Sequence, residues 1–137
     1  MHRDIEQLLK EAENYEKKKK WDDLFVLHRY IFEKYPSDLR SIASGYEAGL
    51  FLILTKKDFK GALKLFQGIK RRCRAEQVCI SLARMHIGIC YLRMKEYERA
   101  KREFTALKKM AEKDIQTINN FLKFCERMIE KKKDGMR

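Results

Sequence analysis

The sequence predicts an all-α fold, an α-solenoid of three antiparallel helix pairs closed by a C-terminal capping helix. Three observations predict it. The 137 residues include one proline, six glycines and 38% charged side chains, a composition of long charged helices rather than of sheets. Apolar residues recur at steps of three and four, the spacing of one helix face. The chain laid over itself also matches at an offset of 38 residues.

The self-match is specific. Trp21 falls on Phe59 and Tyr97, Leu24 on Ala62 and Ala100, His28 on Phe66 and Phe104, and Ile31 on Ile69 and Leu107. Upstream, Leu8 aligns with Tyr46, Ala12 with Leu50 and Gly88, and Tyr15 with Ile53 and Tyr91. The elements follow in order. Leu8, Ala12 and Tyr15 mark a helix over 3–18, and Trp21, Leu24, His28 and Ile31 mark one over 21–34. The charged turn Lys18-Lys19-Lys20 joins them. Pro36 stops the second helix, and Ser37 or Asp38 can cap a third over 39–55. Lys56-Lys57-Asp58 makes the next turn, with Asp58 suited to cap a helix over 59–73. Helices over 75–93 and 97–111 follow, joined by Met94-Lys95-Glu96, then a last helix over 114–132. The tail from Lys131 to Arg137 is expected to fray.

These residues carry a resemblance. A small residue and a tyrosine in the first helix, an aromatic at the turn, then an alanine and an aromatic in the second helix resemble the tetratricopeptide repeat. Gly88, Tyr91, Tyr97, Ala100 and Phe104 fit it throughout. Phe59, Ala62 and Phe66 carry it in the second unit, and Ala12, Tyr15, Trp21 and Pro36 in the first. The resemblance implies one domain over 1–137, with repeats at about 5–38, 43–76 and 81–112 and a capping helix at 114–132. The period is 38 residues against the family's usual 34, so each pair gains about one helical turn. Leu24 and His28 stand where the family has a small and an aromatic residue. A first repeat has no predecessor, so its outward face should be polar. Gln7, Glu11 and Asn14 are, whereas their equivalents Gly45, Gly49 and Leu52, then Ala83, Ile87 and Cys90, are small or apolar.

In this family the first helices of each pair line a groove. Mapped here, the second repeat offers Glu47, Ala48, Phe51, Leu54 and Thr55. The third offers Leu82, Met85, His86, Ile89, Leu92 and Arg93. An apolar face of that size marks a binding surface. Its occupant is a partner's amphipathic helix or peptide, or the closing helix through Ile115, Ile118, Phe121, Leu122 and Cys125, or a second copy in a homodimer. Relatives that clamp a chaperone's terminal carboxylate need cationic and amide donors. The matching positions here are Leu9, Glu13, Ala48, Leu82 and His86, which supply no such set.

Net charge is +12. Residues 1–36 hold eight acids and eight bases, whereas residues 37–137 hold twelve acids and twenty-four bases. Lys56, Lys57, Lys60, Lys64, Lys70, Arg71, Arg72 and Arg74 form a candidate basic face. It is either a solvated surface that steers an acidic protein partner or a contact for nucleic-acid phosphates. Cys79, His86 and Cys90 share one side of a helix, but core periodicity accounts for that spacing, and no metal or cofactor is expected. The four cysteines, Cys73, Cys79, Cys90 and Cys125, form no C-x-x-C pair and read as free thiols of a reducing compartment. There is no glycine-rich phosphate loop and no nucleophile motif, so no enzyme is expected. The chain opens on Met1 with no evident signal peptide, so a nearly full-length cytoplasmic protein is expected. Membrane insertion is not expected, since Ala48–Leu54, the longest apolar stretch, falls far short of the ~20 residues of a span.

Overall fold

Seven helices follow one another in a computed structural model that describes residues 4–73, 77–110 and 115–135. The side chains at 77, 78, 110, 115–118 and 121 lie outside the description. The helices are α1 (Ile5–Lys17), α2 (Trp21–Lys34), α3 (Leu39–Phe51), α4 (Phe59–Cys73), α5 (Gln77–Arg93), α6 (Tyr97–Met110) and α7 (Ile115–Gly135). No strand occurs among the described residues. The chain divides into two compact units, Met1–Lys57 and Asp58–Arg137. In the first, α1 packs on α2 and α2 on α3. In the second, α4, α5, α6 and α7 pack in succession.

The helix starts have local causes. The Asp4 carboxylate accepts from the Gln7 amide, Asp38 from the Arg40 amide and Asp58 from the Gly61 amide, each at 2.9 Å. These bonds satisfy amide donors that a first helical turn leaves free. The helix ends share a device. Lys19, Lys57 and Lys95, spaced 38 residues apart, all adopt left-handed backbone, with φ of 56°, 55° and 63°. In the first and third turns the Lys20 amide donates to the Tyr15 carbonyl and the Glu96 amide to the Tyr91 carbonyl, which closes the helix on itself.

The second turn is built differently. The sequence predicts one α-helix over 39–55, whereas α3 ends at Phe51 and Leu52–Lys56 is a π-helical turn. The Lys57 amide then donates to the Leu52 carbonyl. The widened turn absorbs length that periodicity alone assigns to the α-helix. At the other end, the tail departs from the expected fraying as far as Gly135, and Met136 and Arg137 lie outside the described residues. The α7 helix runs on through Lys131–Lys133 to Gly135, where lysines favour a helix and complement its C-terminal dipole.

Each unit has its own core. In the first, Ile5, Leu8, Ala12, Leu27 and Ile31 are buried together, flanked by Leu9, Tyr15, Leu24 and Tyr35. In the second, Ala100, Phe104, Leu107 and Cys125 are buried, with Met85, Ile89, Tyr91, Leu92 and Leu122 against them. The aligned positions Ile31, Ile69 and Leu107 are all buried, as are Phe66 and Phe104. Two glycines permit close packing. A Cβ on Gly45 would lie 2.6 Å from Phe32 Cδ2, and one on Gly88 would lie 2.7 Å from Phe104 Cζ. On the outward face of α1, Gln7 and Asn14 are exposed. Gly45, Gly49, Leu52, Ala83, Ile87 and Cys90 are buried.

The cysteine reading needs correction. Cys73 at the end of α4 and Cys79 early in α5 form a disulfide, their Cα atoms 5.6 Å apart. The helical hairpin brings two residues six apart into bonding range, which the spacing of a C-x-x-C motif does not capture. Cys90 and Cys125 are free and buried.

Candidate functional site

The groove residues on α3 and its π-helical extension behave unequally. Glu47 is exposed. Phe51 is half-buried, its ring stacked on Phe25 of α2 with centroids 5.2 Å apart. The Lys56 ammonium lies 5.6 Å above the Phe51 ring and pairs with Asp22 at 3.0 Å. Phe51 thus joins α2 and α3 while keeping part of its surface open. Leu54, on the π turn, is 66% exposed, a large aliphatic group left in water.

In the second unit most groove residues turn inward. Met85, Ile89 and Leu92 pack against the cluster of Ala100, Phe104, Leu107 and Cys125, to which α7 contributes Cys125 and Leu122. The closing helix thus covers part of this face. Ile115, Ile118 and Phe121, which the sequence also assigns to that cover, lie outside the described side chains. Leu82 remains exposed. The His86 ring stacks on Phe66 at 4.8 Å, and its Nδ1 lies 2.9 Å from the Leu82 carbonyl, to which a neutral imidazole donates. Burial holds the His86 pKa below its ordinary value, opposed by that bond.

Leu92 and Arg93 belong to a pocket of about 570 Å³ where the end of α5, the start of α6 and α7 meet. Tyr97 and Phe124 supply its aromatic walls, and Lys95 and Arg127 join Arg93 as cations. Phe124 is 40% exposed. The Arg127 guanidinium stands 6.0 Å from the Phe124 ring and that of Arg93 5.9 Å from Phe59, so the cations rest on aromatic faces. Sequence reasoning identified Leu92 and Arg93 but missed Lys95, Tyr97, Phe124 and Arg127. Their signal was the cation-aromatic spacing of 124 and 127 on the last helix.

A second cleft, of about 890 Å³, opens between α1 and α2. Leu8 and Leu27 form its floor. Val26, 57% exposed, and Tyr30, 46% exposed, stand on one wall. Asp4, Glu11 and Asp23 bring carboxylates to it and Lys34 an ammonium, with Tyr15 donating its hydroxyl proton to Glu11 at 3.2 Å. The self-match explained the polar residues of α1 as a solvated end and gave no sign of this aromatic wall.

The basic-face residues are scattered in character. Lys57, Lys60, Lys64 and Arg71 are exposed, Arg72 is half-buried, and Arg74 lies outside the described residues. Lys56 is held by Asp22. Lys70 lies 4.0 Å from Glu103, which also receives Arg84 at 3.1 Å. Among the described residues, no three His, Cys, Asp or Glu side chains gather to hold a metal ion. Nor is any helix long and apolar enough to cross a membrane. His28 stands on the phenylalanine line of Phe66 and Phe104. Its Nδ1 is buried without a hydrogen-bond partner, and burial lowers its pKa against the pull of Glu47 and Glu16. No protein-family model matches the chain, and no curated protein does.

Proposed function

We propose that the chain is a single-domain, tetratricopeptide-type interaction module that docks an acidic helix or peptide of a partner protein and performs no catalysis. The observation that carries this reading is the pocket at the junction of α5, α6 and α7. Leu92, Tyr97 and Phe124 offer apolar and aromatic area beside Arg93, Lys95 and Arg127. Apolar anchors ringed by cations suit a side chain such as Leu or Phe flanked by Asp or Glu. Residues 58–137 hold twenty-one bases against ten acids, so an acidic partner is also drawn in at a distance.

The repeat assignment draws support from three features. The left-handed lysines recur every 38 residues, Ile31, Ile69 and Leu107 are buried at matching positions, and Gly88 meets Phe104. Exposed Lys60, Lys64 and Arg71 favour a second reading, phosphate contact with nucleic acid. Capture from the native host's lysate separates the two. A protein partner stays bound after nuclease and is lost with Arg93→Glu, whereas a nucleic-acid-mediated catch vanishes with nuclease.

A further inference from the structure

The pocket where α5, α6 and α7 meet gathers cations with no acid to answer them. Arg93 and Lys95 reach it from the end of α5 and the turn beyond, Arg127 from α7, and among the described residues no carboxylate lines it. The α7 acids beside Arg127 are drawn elsewhere, Glu126 to Lys101 at 3.7 Å and Glu130 to Lys133 at 4.0 Å. Three other hollows mix the two signs. Lys34 stands with Asp4, Glu11 and Asp23 between α1 and α2, Lys131 with Glu130 on α7, and Lys109 with Glu98 on α6. Like charges brought together without a counter-charge make a potential that an anion satisfies.

The apolar part of the pocket narrows the choice of anion. Arg93 and Arg127 stand over aromatic rings, 5.9 Å from the centre of Phe59 and 6.0 Å from that of Phe124. A guanidinium so placed keeps its N–H edge for an oxyanion. Leu92, Tyr97 and Phe124 supply the walls, and Phe124 is open enough to take an incoming ring on its face. A matching occupant has a flat apolar body that ends in more than one negative charge. An Asp or Glu side chain brings a single charge on a short aliphatic stem. A phosphate monoester brings about −1.5 to −2 and three acceptor oxygens, and on tyrosine it sits at the end of an aromatic ring. The hollow, about 570 Å³, has room for both.

We infer that this pocket binds a phosphorylated tyrosine of the partner protein. The inference rests on reading the pocket as the dock for an acidic peptide, and it names the residue that anchors that peptide. The tyrosyl ring lies against Phe124 and Leu92, and the phosphate oxygens accept from Arg93, Lys95 and Arg127. An unmodified tyrosine offers the ring but leaves the three cations unanswered, so phosphorylation of the partner sets the affinity.

The test uses the full chain and three fluorescent peptides of the frame Gly-Asp-Glu-X-Leu-Gly, with X as phosphotyrosine, tyrosine or phosphoserine. Fluorescence anisotropy should show the phosphotyrosine peptide binding at least about tenfold tighter than either of the others. Arg93→Gln with Arg127→Gln should abolish that advantage, whereas Lys60→Gln with Lys64→Gln should keep it. All four side chains are exposed, so circular dichroism should show the helices unchanged in both variants. Equal binding of the tyrosine peptide overturns the inference while the acidic-peptide reading stands, since the pocket then reads carboxylates alone. Equal binding of the phosphoserine peptide overturns it as well, because the aromatic walls then select nothing. So does a phosphotyrosine preference that survives the arginine changes, because the phosphate then sits elsewhere. Failure of all three peptides to bind also overturns it, and the lysate capture decides the module reading independently. An oligothymidylate that outcompetes the phosphotyrosine peptide and is lost with the same arginines overturns it too, because the occupant is then a nucleic acid.

Discussion

Replacing Gly88 by alanine tests the helix contact on which the second unit is built. The added Cβ would lie 2.7 Å from Phe104 Cζ and 2.8 Å from Cε1, whereas ordinary contact begins near 3.4 Å. Phe104 is fully buried, so its ring has to move by several tenths of an ångström inside a packed core. Overpacking of this kind costs about 1–3 kcal/mol. Alanine returns about 0.8–1 kcal/mol through its better helix propensity. The net expectation is a loss of about 0–2 kcal/mol, and Gly88→Val, which gains less propensity and adds more bulk, should lose more. The decisive comparison is a double-mutant cycle with Phe104→Leu, read by urea denaturation. In that background the clash is removed and Gly88→Ala should become stabilising by about 0.5–1 kcal/mol. If Gly88→Ala stabilises the unaltered protein by the same amount, α5 and α6 do not meet at Gly88 and Phe104.

Three further outcomes follow from the geometry. Glycine at Lys19, Lys57 or Lys95 should stabilise the fold by about 0.5–1 kcal/mol at each turn, since each lysine holds a left-handed conformation; a loss at all three by thermal melting contradicts the turn geometry. His28 and His86 both have pKa values depressed by burial, so both are neutral in the fold while the unfolded chain takes up protons near pH 6.5. Their contribution to stability is therefore intact above that value and lost as pH falls below it. His28→Phe should raise the neutral-pH stability by about 1 kcal/mol by removing an unpaired buried nitrogen, and should flatten the acid limb of the urea-midpoint profile. Finally, Cys90 and Cys125 are buried, with thiol pKa values pushed up to about 12 and about 11, so iodoacetamide should leave both untouched until denaturant is added. Peptide mapping without reductant should recover Cys73 joined to Cys79.

Much of the helix order was legible because turn chemistry and periodicity agreed. Asp58 and Asp38 cap the helices that their positions suggested, and the three charged turns fall where the self-match places them. The π turn was not legible. Leu52–Lys56 continues an α-helical apolar pattern, and the extra residue is absorbed by backbone bonding that carries no composition signal. The Cys73–Cys79 bond was missed because spacing was compared with a redox motif, while a hairpin's geometry set the distance. At the site, periodicity marked Phe51, Met85 and Ile89 as one apolar face but did not show which neighbour each would meet. Phe51 stacks on Phe25, and Met85 and Ile89 pack on the cluster completed by α7. The cationic pocket depends on α7 bringing Phe124 and Arg127 to Arg93 and Lys95, a long-range packing event that local spacing does not encode.

The most direct test of the interaction-module account is a parallel capture from the native host's lysate, with and without nuclease, read by quantitative mass spectrometry. The baits are the unaltered chain, Arg93→Glu with Arg127→Glu, and Lys60→Glu with Lys64→Glu. The account predicts a discrete acidic protein on the unaltered chain, lost with the Arg93 and Arg127 changes and kept with the Lys60 and Lys64 changes. A catch that nuclease abolishes, or one indifferent to Arg93 and Arg127, contradicts it.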